Sequence, residues 1–326
     1  MKRLSESTML CVMRVVLAAA VLAHVDALRV TRKDAIVGAA ASSLRPVLPR
    51  TAKAAAAAAT TASSAAIAAA TTATPARAAA AATGTAARLR AVTDPATYTA
   101  LAYAPPGKKK PPLVVVLHGA GENARDVWNL ADIQGEHRGL APSLLAAGAA
   151  PPSLAENFAV VAPYSAGRLS LYGDPRSKML AFVDWVLSDA GRAAGCPDAD
   201  PSRVFLFGFS DGATEAVELL TTRRFAGGVV CSYGFTGTLP AAAVSRLADV
   251  PVWAFHSADD AIFDVANSDR LVASLRRGGA RDVVRYTRYD SDPENVAGSA
   301  RGHTCGISAS KLPEVYDWML QIRAPG

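Results

Sequence analysis

VFLFGFSDGA, residues 204–213, decides the fold. Val204–Phe207 is a short β-branched and aromatic run with no polar residue, the pattern of a strand buried on both faces. Gly208-Phe209-Ser210-Asp211-Gly212 follows without a break, and Ala213 opens a stretch of helical spacing that runs to Thr221. A strand that becomes a helix over Gly-x-Ser-x-Gly holds its serine on a sharp bend, with the hydroxyl exposed above the sheet edge. The flanking glycines belong there because a larger side chain would collide with the neighbouring strand and helix. The helix start directs amide donors and a positive dipole to the same point. The string alone is weak; its position between strand and helix gives it weight.

Outward from this bend the same alternation repeats. Leu113–Leu117 (LVVVL), Phe158–Ala162 (FAVVA), Gly228–Cys231 and Val252–Phe255 read as buried strands. Lys178–Ala190 carries Met179, Phe182, Val183, Val186 and Leu187 at helical spacing, and Asn267–Arg276 and Leu312–Ile322 are further helices. Val283–Tyr289 is a last strand, and Thr97–Tyr103 an antiparallel strand on the first edge. This alternation specifies an α/β domain with a mostly parallel sheet and helices on both faces. About twenty residues separate the strand at Gly228 from that at Val252, too few for a large lid. The expected site is therefore open and shallow, with Glu122–Asn157 forming one wall.

The 326 residues carry a net charge of +6, but the charge is unevenly placed. Residues 1–92 hold 12 Lys/Arg against 3 Asp/Glu, and residues 93–326 hold 22 against 25. The domain is thus mildly acidic, which argues against nucleic acid as a partner. Residues 1–27 read as a signal peptide: Lys2 and Arg3 precede the apolar run Val15–Ala23, and Val25 and Ala27 suit cleavage. That run is too short for a stable membrane span. Residues 28–92 are a low-complexity transit peptide or linker; residues 51–83 alone contain 20 Ala, a composition that cannot build a packed core. Such a leader implies entry into the secretory pathway, ending in secretion or, through a two-part leader, in a plastid. The α/β domain is assigned to 93–326. Cys196, Cys231 and Cys305 leave an odd number in the domain, which excludes a disulfide framework but leaves one bridge open; no metal-ligand spacing is present. Lys108-Lys109-Lys110, flanked by prolines, reads as a solvated turn.

Three further segments sit at strand ends. His118-Gly119-Ala120-Gly121 follows the first buried strand. A backbone amide there, Ala120 first and Gly121 next, would join the N–H of Asp211 as the two donors of an oxyanion hole. His118 reads as a buttress of this turn rather than as a base. A serine nucleophile needs an acid and then a base further along the chain. Phe255-His256-Ser257-Ala258-Asp259-Asp260 supplies the acid: Asp260 first, with Asp259 as competitor and Asp264 a distant third that could instead cap the next helix. His303, between the last strand and the last helix, is the one histidine left in the slot for a base. His24 lies in the leader, His137 precedes the bend, and His118 and His256 sit on turns.

These residues together resemble the α/β-hydrolase superfamily. Within it they are similar to the esterase and "predicted peptidase" branch related to feruloyl esterases and polyhydroxybutyrate depolymerases, with phospholipase/carboxylesterase-like members nearby. The resemblance is carried by LHGAGEN from Leu117, DPSRVFLFGFSDGA from Asp200, VPVWAFHSADD from Val250 and LPEVYDWML from Leu312, and spans about Pro111 to Arg323. It implies Ser210 as nucleophile, Asp260 as acid and His303 as base. Two positions depart from the family pattern: Ser257 stands where a glycine is usual, and Thr304-Cys305-Gly306 where an aromatic residue often follows the base. The expected activity is hydrolysis of carboxylic esters through an acyl-enzyme, without cofactor or metal, on small molecules or exposed polymer ends. The rival readings are a peptidase-like amide hydrolase and an inactive hydrolase fold used for binding.

Overall fold

The computed structural model describes residues 89–121, 126–132, 139–166, 168, 170–294 and 300–322. The signal peptide and nearly all of the low-complexity segment expected from the sequence, together with His137, lie outside the described residues. Eight strands form one sheet: β1 (Arg90–Thr93), β2 (Thr99–Tyr103), β3 (Leu113–Leu117), β4 (Ala159–Pro163), β5 (Val204–Phe209), β6 (Gly227–Cys231), β7 (Val252–Ser257) and β8 (Val284–Tyr289). Their order across the sheet is β1-β2-β4-β3-β5-β6-β7-β8. The pairings β1–β2 and β2–β4 are antiparallel, and all others are parallel.

The helices are α1 (Ala141–Ala147), α2 (Pro152–Ala155), α3 (Arg176–Leu187), α4 (Asp189–Ala193), α5 (Asp211–Leu220), α6 (Ala241–Arg246), α7 (Ala266–Arg277), α8 (Cys305–Lys311) and α9 (Pro313–Gln321). A parallel sheet needs apolar residues on both faces, and the strands supply them by simple alternation. Leu113, Val115, Leu117, Val204 and Leu206 face one core with Phe182, Ala213, Ala216 and Leu271 of α3, α5 and α7. Val114, Val116, Phe205, Phe207 and Phe209 face the other, with Leu145, Leu154, Tyr316 and Trp318 of α1, α2 and α9. The result is three layers. Between β6 and β7 only α6 intervenes, so no lid domain is inserted there.

Chain order places the site. From β3 the chain passes to β4 on one side, then returns to β5 on the other. In such a sheet the crevice at the carboxyl ends of the two strands flanking the switch, here β3 and β5, is where ligands bind.

Several elements differ in extent from the sequence reading. β1 straddles the boundary expected between residues 92 and 93, paired with β2 from Arg90↔Ala102 to Thr93↔Thr99. A four-residue strand is lost in the averaged composition of the long Ala-rich tract before it. The helix expected over Lys178–Ala190 divides at Ser188, whose side chain accepts from Gly191 N and starts α4. The last helix expected over Leu312–Ile322 is present as α9, and α8, which the sequence reading did not include, ends just before it at Leu312-Pro313, because proline lacks an N–H and disfavours helical backbone in the residue before it. Lys108–Lys110 is exposed, as a solvated turn should be. Cys196, Cys231 and Cys305 are buried free thiols, so the bridge left open by the sequence is absent. No described helix is long and apolar enough to cross a membrane.

α5 also buries a carboxyl. Glu215 is 1% exposed. Burial, with Glu218 nearby, pushes it up to about 8, against the opposing pull of Arg176, the Gly173 amide and Arg168. Oε1 has no partner. An acid whose folded value lies above its unfolded one is still protonated in the fold after the unfolded chain has released its proton. Its contribution therefore lowers stability as pH rises from about 4.5 toward 8. Glu215→Gln should remove roughly 3 kcal/mol of that loss at pH 7, at ~1.4 kcal/mol per unit of displacement. Urea unfolding of both proteins at pH 5 and pH 7 checks this. The variant should gain relative to wild type at the higher pH, and equal pH dependence would refute it.

Candidate active site

Ser210 stands at the junction of β5 and α5 with φ 57 and ψ −121. A positive φ costs a non-glycine residue about 1–3 kcal/mol, so the surroundings must impose it. They do so at both ends. The Ser210 amide donates to Cys231 O on β6 at 2.9 Å, and Ser210 O accepts from the amides of Ala213 and Thr214 to start the helix. A Cβ on Gly208 would overlap the Gly212 carbonyl, and one on Gly212 would overlap the carbonyls of Leu117 and His118. The glycines thus let α5 start directly against the end of β3. Asp211, the first residue of α5, precedes Gly212 at this contact, and its Oδ2 accepts from Ser170 Oγ at 2.8 Å.

The His118 turn is fixed by its own ring. His118 is buried, and burial pushes it down to about 4 despite its bond to Gly119, so it is neutral. Nδ1 lies 2.7 Å from Gly119 O, and since a carbonyl can only accept, Nδ1 donates. A trans peptide holds C=O and the next N–H on opposite sides. Drawing Gly119 O toward the ring therefore turns the Ala120 N–H away from it. This is the buttress expected from the sequence.

Asp260 and His303 come from two loops that are stitched together. The Ala261 amide donates to Arg301 O at 2.9 Å. Gly302, at φ 71, lies so close to Asp259 that a Cβ would overlap it. His303 sits between two aromatic rings, with Phe209 at 5.1 Å between centroids and Phe263 edge-on at 5.3 Å. Its Nδ1 is 2.8 Å from Asp260 Oδ2 and 3.0 Å from Oδ1, and its Nε2 is 2.9 Å from Ser210 Oγ. The Asp260 side chain is fully buried. Burial alone would raise its carboxyl, but hydrogen bonds from His256 and His303, the charge of His303 and the Phe263 amide outweigh that. They hold it well below the usual carboxylate range. An ionised carboxylate can only accept, so Nδ1 carries the imidazole proton and Nε2 presents a lone pair to the serine hydroxyl.

Ser210, His303 and Asp260 therefore meet in one hydrogen-bonded chain. The two other aspartates do not join it. Asp259 accepts from Ser257 Oγ at 2.5 Å and from Ser291 Oγ at 2.9 Å. Asp264 accepts from the Ala266 amide, at the start of α7. Both departures from the family pattern gain a local reason. Ser257 binds Asp259, and Gly306 leaves room for the Phe209 ring, which a Cβ there would overlap. The sequence reading assigned His256 only a turn, whereas its Nε2 lies 3.2 Å from Asp260 Oδ2. The spacing of four residues to Asp260 was the available signal. Among the described residues no group of His, Cys, Asp or Glu could hold a metal ion.

No protein-family model matches the chain, and no curated protein matches it. Among solved structures it is similar to a thermostable esterase, with a TM-score of 0.53 and 23% identity over 72% of this chain and 62% of that one. The chain has the α/β-hydrolase fold. It spans less than two thirds of that esterase's length. A putative dienelactone hydrolase from Klebsiella pneumoniae also aligns, with a TM-score of 0.46 and 17% identity over 72% of this chain and 95% of that one.

The packing of this α/β-hydrolase elbow makes Gly212→Ala a sharp test. Two backbone carbonyls would have to move, so unfolding by urea should show a loss of roughly 3 kcal/mol or more, at the upper end for overpacked sites. A variant within about 1 kcal/mol of wild type would contradict the contact between α5 and β3.

Proposed function

We propose that this protein is a serine hydrolase that cleaves carboxylic esters through an acyl-enzyme. The observation that carries the proposal is the chain Ser210 Oγ–His303 Nε2 at 2.9 Å and His303 Nδ1–Asp260 Oδ2 at 2.8 Å. The fold shared with a thermostable esterase supports it.

In this mechanism Ser210 Oγ attacks the carbonyl carbon as its proton passes to His303 Nε2. Asp260, ionised and unable to leave its pocket, keeps the imidazole in the receiving tautomer and offsets the positive charge that forms. The amides of Ala120 and Asp211 are assigned to the oxyanion. The first belongs to the peptide whose carbonyl, Gly119 O, is held by His118, and the second lies at the start of α5, where the helix dipole adds to it. Each such donor is worth ~2.7–4 kcal/mol of barrier. His303 then returns its proton to the leaving alkoxide, and water, activated by the same base, attacks the acyl carbon and releases Ser210. Every step uses groups of this chain and water.

An ester is the assigned substrate because its alcohol leaves more readily than an amine, and because the short β6–β7 connection carries no inserted lid domain. Small esters and the exposed ends of polymers fit that opening. The leader reading belongs to the same proposal: residues 1–27 as a signal peptide and the Ala-rich segment after it as a transit peptide or linker would deliver the enzyme into the secretory pathway.

Incubating the protein with a fluorescent fluorophosphonate tests the nucleophile. Wild type should label, while Ser210→Ala and His303→Ala should not. Asp260→Asn should cut turnover of a p-nitrophenyl ester by roughly 10⁴-fold, because an amide in place of the carboxylate favours the wrong imidazole tautomer. Folded wild type that neither labels nor turns over ester would overturn the proposal. Faster cleavage of the matching p-nitroanilide would replace ester by amide.

A further inference from the structure

We propose that His256 is a positioning residue for the acid: it lies against Oδ2 of Asp260, the oxygen that also faces His303, draws charge from it, and so sets how strongly Asp260 pulls on the proton of His303. The inference rests on the reading of Ser210, His303 and Asp260 as the catalytic residues.

His256 lies near the end of β7 and is completely buried. Its Nε2 is 3.0 Å from Phe263 O and 3.2 Å from Asp260 Oδ2. Neither oxygen can donate, so Nε2 carries a proton, given to Phe263 O with Asp260 Oδ2 close beside it. Its Nδ1 lies 2.7 Å from Ser268 Oγ, in the first turn of α7, also fully buried. With the proton on Nε2, Nδ1 of the neutral ring accepts from the serine hydroxyl.

One ring therefore ties three places together: the acid, the backbone at the far end of the acid loop, and the helix that follows. Asp260 in turn receives donors from every side. The amides of Ile262 and Phe263 reach Oδ1, both at 2.9 Å, and the two histidines converge on Oδ2. Two N–H groups on one oxygen compete for the same charge. Without the His256 donor, Oδ2 would concentrate on His303, and the imidazole would hold its proton more tightly. Ser210 would then meet a base that stays protonated to higher pH. His256 thus tunes the base through the acid without touching substrate.

The other charged and titratable groups around Asp260 leave this role to His256. Asp259, next in the chain, is bound by Ser257 and Ser291. Cys305, at the start of α8, has its thiol pushed far above its usual value by burial, with Asp292 beside it, so it stays neutral. Arg301 is exposed and meets the acid loop through its backbone carbonyl. Ser210 on the elbow faces His303 Nε2 rather than the carboxylate.

The test is the pH dependence of kcat and KM for p-nitrophenyl acetate, using the full chain, with thermal melts to establish folding. His256→Leu should lower kcat roughly tenfold or more, the cost of losing a hydrogen bond to a charged group, with KM little changed. The acid limb of its kcat/KM profile should move upward by several tenths of a pH unit. His256→Gln, whose amide N–H can reach the same oxygen, should bring back the wild-type limb and most of kcat. Ser268→Ala, which weakens Nε2–H as a donor, should shift the limb in the same direction but less. A purely structural histidine would lower the melting temperature without moving the limb. An unmoved limb in folded His256→Leu overturns the proposal. Should that variant fail to fold, an unmoved limb in Ser268→Ala overturns it instead. Inert wild type would remove the catalytic reading beneath it, whereas active wild type with unmoved limbs removes only the role of His256.

Discussion

The hydrogen bond from His303 Nδ1 to Asp260 is the constraint on which the rest of the site depends. It spans 43 residues of sequence and joins two loops that share no regular structure. The groups around it keep an ionised carboxylate stable where its side chain is buried from solvent. Desolvation works against the charge, and the donors of His256 and His303, the charge of His303 and the Phe263 amide outweigh it. Once the carboxylate is ionised, the tautomer of His303 follows, and the lone pair of Nε2 has one partner within reach, Ser210 Oγ.

The sheet provides the other half of the arrangement. β5 delivers Ser210 at the point where the strand order reverses, and the elbow glycines let α5 begin against the end of β3. A positive φ at the serine is thereby enforced by packing rather than by the residue itself. Ser232, just past the end of β6, also has a positive φ of 51, and its amide bonds Phe255 O as that of Ser210 bonds Cys231 O. β5 and β6 are thus each followed by a residue of positive φ whose amide bonds the next strand. Phe209 and Phe263 then clamp the imidazole from two sides.

The parallel core was legible because strands buried on both faces read as unbroken apolar runs: LVVVL and VFLF could not be loops. Strand type and order of function along the chain followed from that. Short or edge elements were not legible. β1 has one well-buried residue, Val92, in a four-residue strand, too little to stand out beside an Ala-rich tract. α8, CGISASK, has no amphipathic period to read. In the site, chain order picked out Ser210, Asp260 and His303, but order says nothing of contacts. That Asp259 turns to Ser257 and Ser291, and that His256 shares the acid with His303, depends on how the acid loop folds back on itself, which a linear pattern does not encode.

The most direct test of this account is the protonation of the His303 ring, read by ¹⁵N NMR of histidine-labelled protein at neutral pH and assigned by comparison with His303→Gln. The account predicts a protonated Nδ1 and a bare Nε2, with that preference lost in Asp260→Asn. A ring carrying its proton on Nε2, or one indifferent to Asp260, would contradict it.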